Sequence, residues 1–236
     1  MLGYDERSTG VLCTRGSNSM STKHSRPAAG VGDTRERLLR AARSLITVHG
    51  VEGVSIRGIN AAAGASPGSL HYHFGSRESL LVALISEYIE PLMRERQQLL
   101  ALCEARGPLG VREIAEVMVM PLARTAIEGG EDGMAHVCLL ARLYGDRNAI
   151  LFNYTGEPWM REIYERQFTA LKHCRPGVPE AELMLRLDLA THCMLRGLSA
   201  LREEGADWQL GSGYTGFDPW ERVEAILRFV AAGLQA

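Results

Sequence analysis

Lysine is nearly missing from this chain. Only Lys23 and Lys172 are lysines among 26 basic residues; the other 24 are arginines. That bias suits a GC-rich coding sequence, hence a bacterium of that kind, and says nothing of function. Long apolar runs are missing too. None approaches the ~20 residues that a membrane-spanning helix needs. No apolar h-region marks a secretory signal, so the expected location is the cytoplasm, with no membrane partner. Cysteine is scarce and oddly placed. Cys13, Cys103, Cys138, Cys174 and Cys193 are odd in number, far apart and without a Cys-x-x-Cys pair. Reduced thiols fit better than a disulfide frame or a zinc site. Cys138 and Cys193 fall in apolar helical runs and read as core. Ser-His-Asp arrays, Walker loops and Gly-rich dinucleotide turns are absent. His71-x-His73 is no metal pair, because two residues apart on a helix the rings face different ways and no Cys or acid completes the set. The sequence therefore predicts neither an enzyme nor a cofactor or metal. Strand-like alternation and internal repeats are also lacking, which leaves an all-α chain.

What is present is unevenly charged. The net charge of −2 does not suggest a nucleic acid, but its distribution does. Residues 1–80 carry ten Lys/Arg against six Asp/Glu, and residues 81–236 carry 16 against 22. A basic front on an acidic body fits a DNA-facing module. Residues 1–31 are rich in Gly, Ser, Thr and Arg without periodicity and read as a disordered tail. Met20 is a second candidate start beside Met1, since Ser21-Thr22-Lys23 begins a conventional polar lead.

The most informative stretch is Ser55 to Phe74. Ser55 can cap a helix whose Ile56, Ile59 and Ala63 share one face. Gly64 sits where a left-handed residue is wanted. Ser66-Pro67 restarts the chain with a capping hydroxyl and a proline at the first helical position. Leu70 and Phe74, four apart, pin a second short helix and leave Ser69, His71, Tyr72 and His73 for other faces. Gly75 ends it. Two short helices around a tight turn, the second turning polar groups outward, make a helix-turn-helix DNA reader at 55–74. Upstream, Asp33 and Glu36 form a capping-box pattern. The helix after them points Leu38, Ala42, Leu45 and Ile46 inward and Arg35, Arg37, Arg40 and Arg43 largely outward.

These residues resemble the N-terminal signature of the TetR/AcrR regulators. Gly64-x-Ser66-x-Gly68-Ser69-Leu70-x-Tyr72-His73-Phe74-Gly75-Ser76-Arg77-Glu78-x-Leu80-Leu81 carries the likeness, with Thr34-Arg-Glu-Arg-Leu-Leu-x-Ala-Ala and His49-Gly50-x-x-Gly53-Val-Ser-Ile-Arg57 upstream. The match is ungapped. It departs at His71, where the family usually has Tyr, and at Asn60, where it has Ala. Ser66, Ser69 and His71 are candidates for base edges, and Gly68 lets the helix approach the major groove closely. Tyr72, His73 and Arg77, with Ser55 and Arg57 from the preceding helix, are candidates for phosphates. Free N–H groups at the start of the second helix are also expected to meet a phosphate.

The DNA-binding domain is expected over residues 32–92 and a ligand-binding and dimerisation domain over 93–236. Ser76 should cap a long fourth helix, kinked at Pro91 and running to about Arg106, the natural lever between the two. Further helices are expected near 109–128, 133–145, 157–173, 179–204 and 218–235. The last two are apolar on more than one face, so each needs a second partner. Leu187, Met194, Leu198, Leu201, Val223, Leu227 and Val230 are the candidate interface with a second copy. The resemblance implies the same, since TetR-like proteins pair through their last two long helices. An effector pocket is expected among the body helices, with His136, Arg142, Tyr144, Tyr154, Trp159, His192 and Arg196 as polar or aromatic candidates. Met118, Met134, Leu139, Leu140 and Met194 nearby suggest a largely apolar small molecule. The expected function is a homodimeric regulator that binds a near-palindromic double-stranded DNA operator and is released by that effector. A helical binding protein or enzyme that does not use its reader, and an activator, stay open as alternatives.

Overall fold

The computed structural model describes residues 31–201 and 216–236. Ten helices and no strand appear among them. The three reader helices come first: α1 (Val31–His49) and the short α2 (Ile56–Ala62) and α3 (Ser69–Phe74). The long α4 (Arg77–Glu104) follows, then α5 (Val111–Glu128), α6 (Gly130–Gly145), α7 (Ala149–Thr155), α8 (Pro158–Cys174), α9 (Glu180–Ser199) and α10 (Pro219–Gln235). Residues 1–30 of the expected tail lie outside the described residues, as do 202–204 at the end of the helix expected near 179–204. Val31 already belongs to α1, so Asp33 sits in its first turn and not at a cap.

Local chemistry explains most boundaries. Ser55 accepts a hydrogen bond from the Gly58 amide, and Ser76 accepts one from the Ser79 amide, as N-caps do. Asp218 and Glu221 close a capping box at the start of α10, with Pro219 in its first turn. Gly64 follows α2 at φ +58°, a conformation that costs a side-chain residue more than it costs glycine. Helix α7 had no counterpart in the sequence reading. It spans seven residues, too few for a period, and Asn148 caps it through the Ile150 and Leu151 amides.

One apolar core runs through the chain. At the reader end it holds Leu38, Ile46, Ile59 and Leu70 against Leu80 and Leu84 of α4. Leu45 and Phe74 are only partly buried there, and Ile56 is exposed, against expectation. In the body, α5 packs on α6 and α10, and α9 packs on α6 and α10. Gly197 of α9 has Ile226 of α10 where its side chain would be, 2.9 Å from an ideal Cβ, so these two helices cross closely.

The core corrects the choice of interface residues. Met194, Leu198, Leu201, Val223, Leu227 and Val230 are all buried inside the single chain, and Leu187 is partly buried against the same core. Their stripe faces the chain's own body. The other apolar stripe is the exposed one: Leu185, Leu189 and Cys193 on α9, and Ala225, Phe229 and Ala232 on α10. Cys193 is thus a surface thiol and not core.

Candidate nucleic-acid interface and effector cavity

Asn60 holds the reader together. Its side chain is 2% exposed, deep enough that both ends of the amide need partners. Nδ2 donates to the Pro67 carbonyl at 2.9 Å, and Oδ1 accepts from the Leu70 amide at 3.1 Å. One residue of α2 thereby fixes both the turn and the first turn of α3. The Ser69 amide is also taken, by the Ser66 carbonyl. Two of the N–H groups expected to be free for a phosphate are therefore already bonded within the chain.

Above this frame lies a polar surface. Ser66, His71 and Tyr72 are exposed, and Ser69 is half-buried with its hydroxyl 2.7 Å from that of Ser66. Tyr72 is 78% exposed, touching the His73 ring edge-on, so it has no packing role on α4. Gly68 meets nothing within 4 Å of where a Cβ would stand, which leaves the start of α3 open to a close approach. Ser55 and Arg57 are exposed at the start of α2 beside it. His73 is half-buried. Arg77 differs from expectation: it is half-buried and donates to the Val51 carbonyl, which ties the start of α4 to the turn after α1.

Arg43 joins the reader to the body. Expected on the outer face of α1, it is buried. It donates to the Tyr88 hydroxyl of α4 at 2.9 Å and pairs with Asp132 of α6, where it also meets the His136 ring. His136 stacks on Tyr88 with ring centroids 3.1 Å apart. Burial, then the Arg43 charge, push the His136 pKa down to about 4. Arg142 lies on the same side, close against Gly50 and paired with Asp146 at 2.9 Å.

A cavity of about 460 Å³ opens among α4, α5, α6, α7, α8 and α9. Of the seven expected polar or aromatic contacts only Tyr144 lines it. His136 and Arg142 sit at the reader junction. Tyr154 donates to Glu90 at 3.0 Å, with its pKa pushed up to about 12 by burial and then by Glu90, and meets Trp159 edge-on. His192 packs on the Tyr144 ring with Nδ1 near the Asp188 carbonyl, and Arg196 is exposed on α9. The apolar part of the expectation fares better: Met118, Leu140 and Met194 line the wall, while Met134 and Leu139 do not. Sequence reasoning missed the buried polar residues of this wall, Arg96 and Gln167. An arginine inside the long apolar pattern of α4 was the available signal.

Comparison with known proteins agrees with this layout. Residues 38–84 match the family described as bacterial regulatory proteins, tetR family, and residues 116–233 match the tetracyclin repressor-like C-terminal domain. The repressor AcnR of Corynebacterium glutamicum is 38% identical over 55 residues, 23% of this chain and 29% of that protein. The regulator LmrA of Bacillus subtilis is 34% identical over 73 residues, 30% of this chain and 39% of that protein. The likeness to both is therefore confined to under half of their length. The crystal structure of NalD from Pseudomonas aeruginosa, the secondary repressor of the MexAB-OprM multidrug efflux pump, superposes with a TM-score of 0.55 at 19% identity. It covers 86% of this chain and 98% of NalD, and shows a shared fold. Matched at its reader and across its body alike, this chain belongs to the tetR family of bacterial regulatory proteins.

Proposed function

We propose that this protein is a sequence-specific transcriptional repressor that binds a near-palindromic operator as a homodimer and is released by a small effector. The observation that carries the reading is the polar face of α3, with His71 and Tyr72 exposed and the helix held in place by Asn60. Base contacts from Ser66, Ser69 and His71 would specify, and Tyr72, His73, Ser55 and Arg57 would position through the backbone. The exposed stripe of α9 and α10 supports pairing. Phe229 at 67% and Leu189 at 55% exposure are costly in water and natural for a twofold interface of packed helices. Release has a route: α4 lines the cavity through Ile89, Leu92 and Met93 and packs on α1 and α3 at its other end. An effector that prefers one setting of α4 shifts the readers by a coupling of roughly 1–3 kcal/mol. No described helix is long and apolar enough to cross a membrane.

Selection of fragments from the source genome, followed by binding titrations against salt, tests the reading. The expected outcome is one enriched near-palindrome, with half-sites about one helical turn or a multiple apart. Its affinity should fall as salt rises. Equal retention of all fragments at every salt concentration would remove sequence-specific regulation from consideration.

A further inference from the structure

The cavity wall contains a charge with no counter-charge. Arg96 of α4 is 5% exposed. Its Nη2 donates to the Met118 carbonyl at 3.0 Å, Nη1 reaches the Met93 sulfur at 3.9 Å, the Tyr164 hydroxyl is a further hydrogen-bond partner of the guanidinium, and Nε has no partner. Among the described residues no carboxylate lies within ion-pair distance of it. Burial lowers the guanidinium pKa, an effect that the neighbouring Tyr164 partly offsets. Gln167 of α8 lines the same cavity, is 4% exposed, and its Nε2 is likewise unpartnered. Two buried side chains, each with an unsatisfied N–H, thus border one apolar space. Buried donors without acceptors are costly, and a buried charge without a partner more so.

We propose that the effector is an amphipathic monocarboxylate, its carboxylate seated on Arg96 and Gln167 and its apolar body among Met118, Leu122, Met160 and Phe168. A carboxylate accepts from a guanidinium and an amide together and supplies the missing charge. Arg96 is the one basic side chain among the described residues of this wall, so a single negative charge matches it better than a phosphate. The two acids on the wall do not take its place: Asp188 accepts from the Tyr144 hydroxyl at 2.7 Å, and Glu165 is exposed. They also disfavour a second negative charge. The inference rests on the effector-release reading and names the ligand class of that cavity.

Calorimetry on the full chain without DNA tests it, using straight-chain carboxylates of eight to fourteen carbons with the matched primary alcohols and alkylammonium ions. The expected result is saturable binding of at least one carboxylate, about tenfold or more tighter than its alcohol, the range of a charged hydrogen bond. Arg96→Met keeps an unbranched apolar stem and removes the guanidinium and its charge, and should reduce that preference to less than about threefold. Saturation by no carboxylate, or an alcohol or ammonium ion binding as tightly as the matched carboxylate, overturns the proposal on the wild-type protein alone. Retention of the preference in a folded Arg96→Met overturns it as well. The binding carboxylate is then added to the protein–operator complex. If it binds the protein but leaves operator affinity unchanged, the ligand class stands and the release reading falls.

Discussion

Asn60→Ala removes one side chain and two hydrogen bonds from the turn between α2 and α3. The two losses are unequal. The Leu70 amide is buried and left without an acceptor, which costs about 1–3 kcal/mol. The Pro67 carbonyl belongs to an exposed residue and can turn to water, so its loss is the net value of one bond, about 0.5–1.5 kcal/mol. The sum is roughly 2–4 kcal/mol, which for a chain of this size lowers Tm by roughly 4–16 °C. Thermal and urea unfolding of the full chain measure it. Asn60→Leu is the control, since it restores volume without either hydrogen bond. Both variants should be destabilised, and both should lose operator affinity at temperatures where they remain folded, because α3 is no longer pinned. A loss under about 0.5 kcal/mol for Asn60→Ala, within the range of an ordinary surface change, would refute the assignment. Full stability of Asn60→Leu would show that space and not hydrogen bonding was being filled.

Other expectations follow from the same structure. Leu189→Arg should give a folded monomer by sedimentation with weakened operator binding, whereas Leu198→Arg should fail to fold, since it forces a charge into the chain's own core; a dimeric Leu189→Arg would move the interface elsewhere. Ser69→Ala and His71→Ala should relax preference at single base pairs by roughly 1–3 kcal/mol in titrations across operator variants, and an unchanged profile for both would remove them from the reading set. His136 is held below its ordinary pKa of 6.5, at about 4, so the folded chain binds fewer protons there than the unfolded one. Its contribution to stability is complete above about pH 6.5 and is lost as pH falls toward 4. The urea midpoint of His136→Gln should therefore drop less steeply across that window than the wild-type midpoint; parallel curves would count against a buried neutral His136.

The reader was legible in the sequence because short-range chemistry writes it. Ser55 and Ser76 cap, Gly64 turns, and Leu70 pins, all through neighbours a few residues away. Helix count and most boundaries in the body followed from apolar period, with α7 too short to show one. Contacts between distant segments were not legible. Periodicity revealed two apolar stripes on the last helices but could not say which one met the chain's own core. Burial assigns Leu198 and Leu227 inward and leaves Leu189 and Phe229 outward. Polar residues were misplaced for the same reason. Arg43 looked like one of a row of surface arginines until α6 brought Asp132 and His136 to it. Arg96 went unremarked in the pattern of α4, yet it is buried in a cavity wall that α5 and α8 share. The sequence alone determined all the helices but α7, the reader and the basic front, because each depends on residues adjacent in the chain. Which apolar face is free and which charge is buried were decided only by the tertiary structure, because burial is a property of how helices meet.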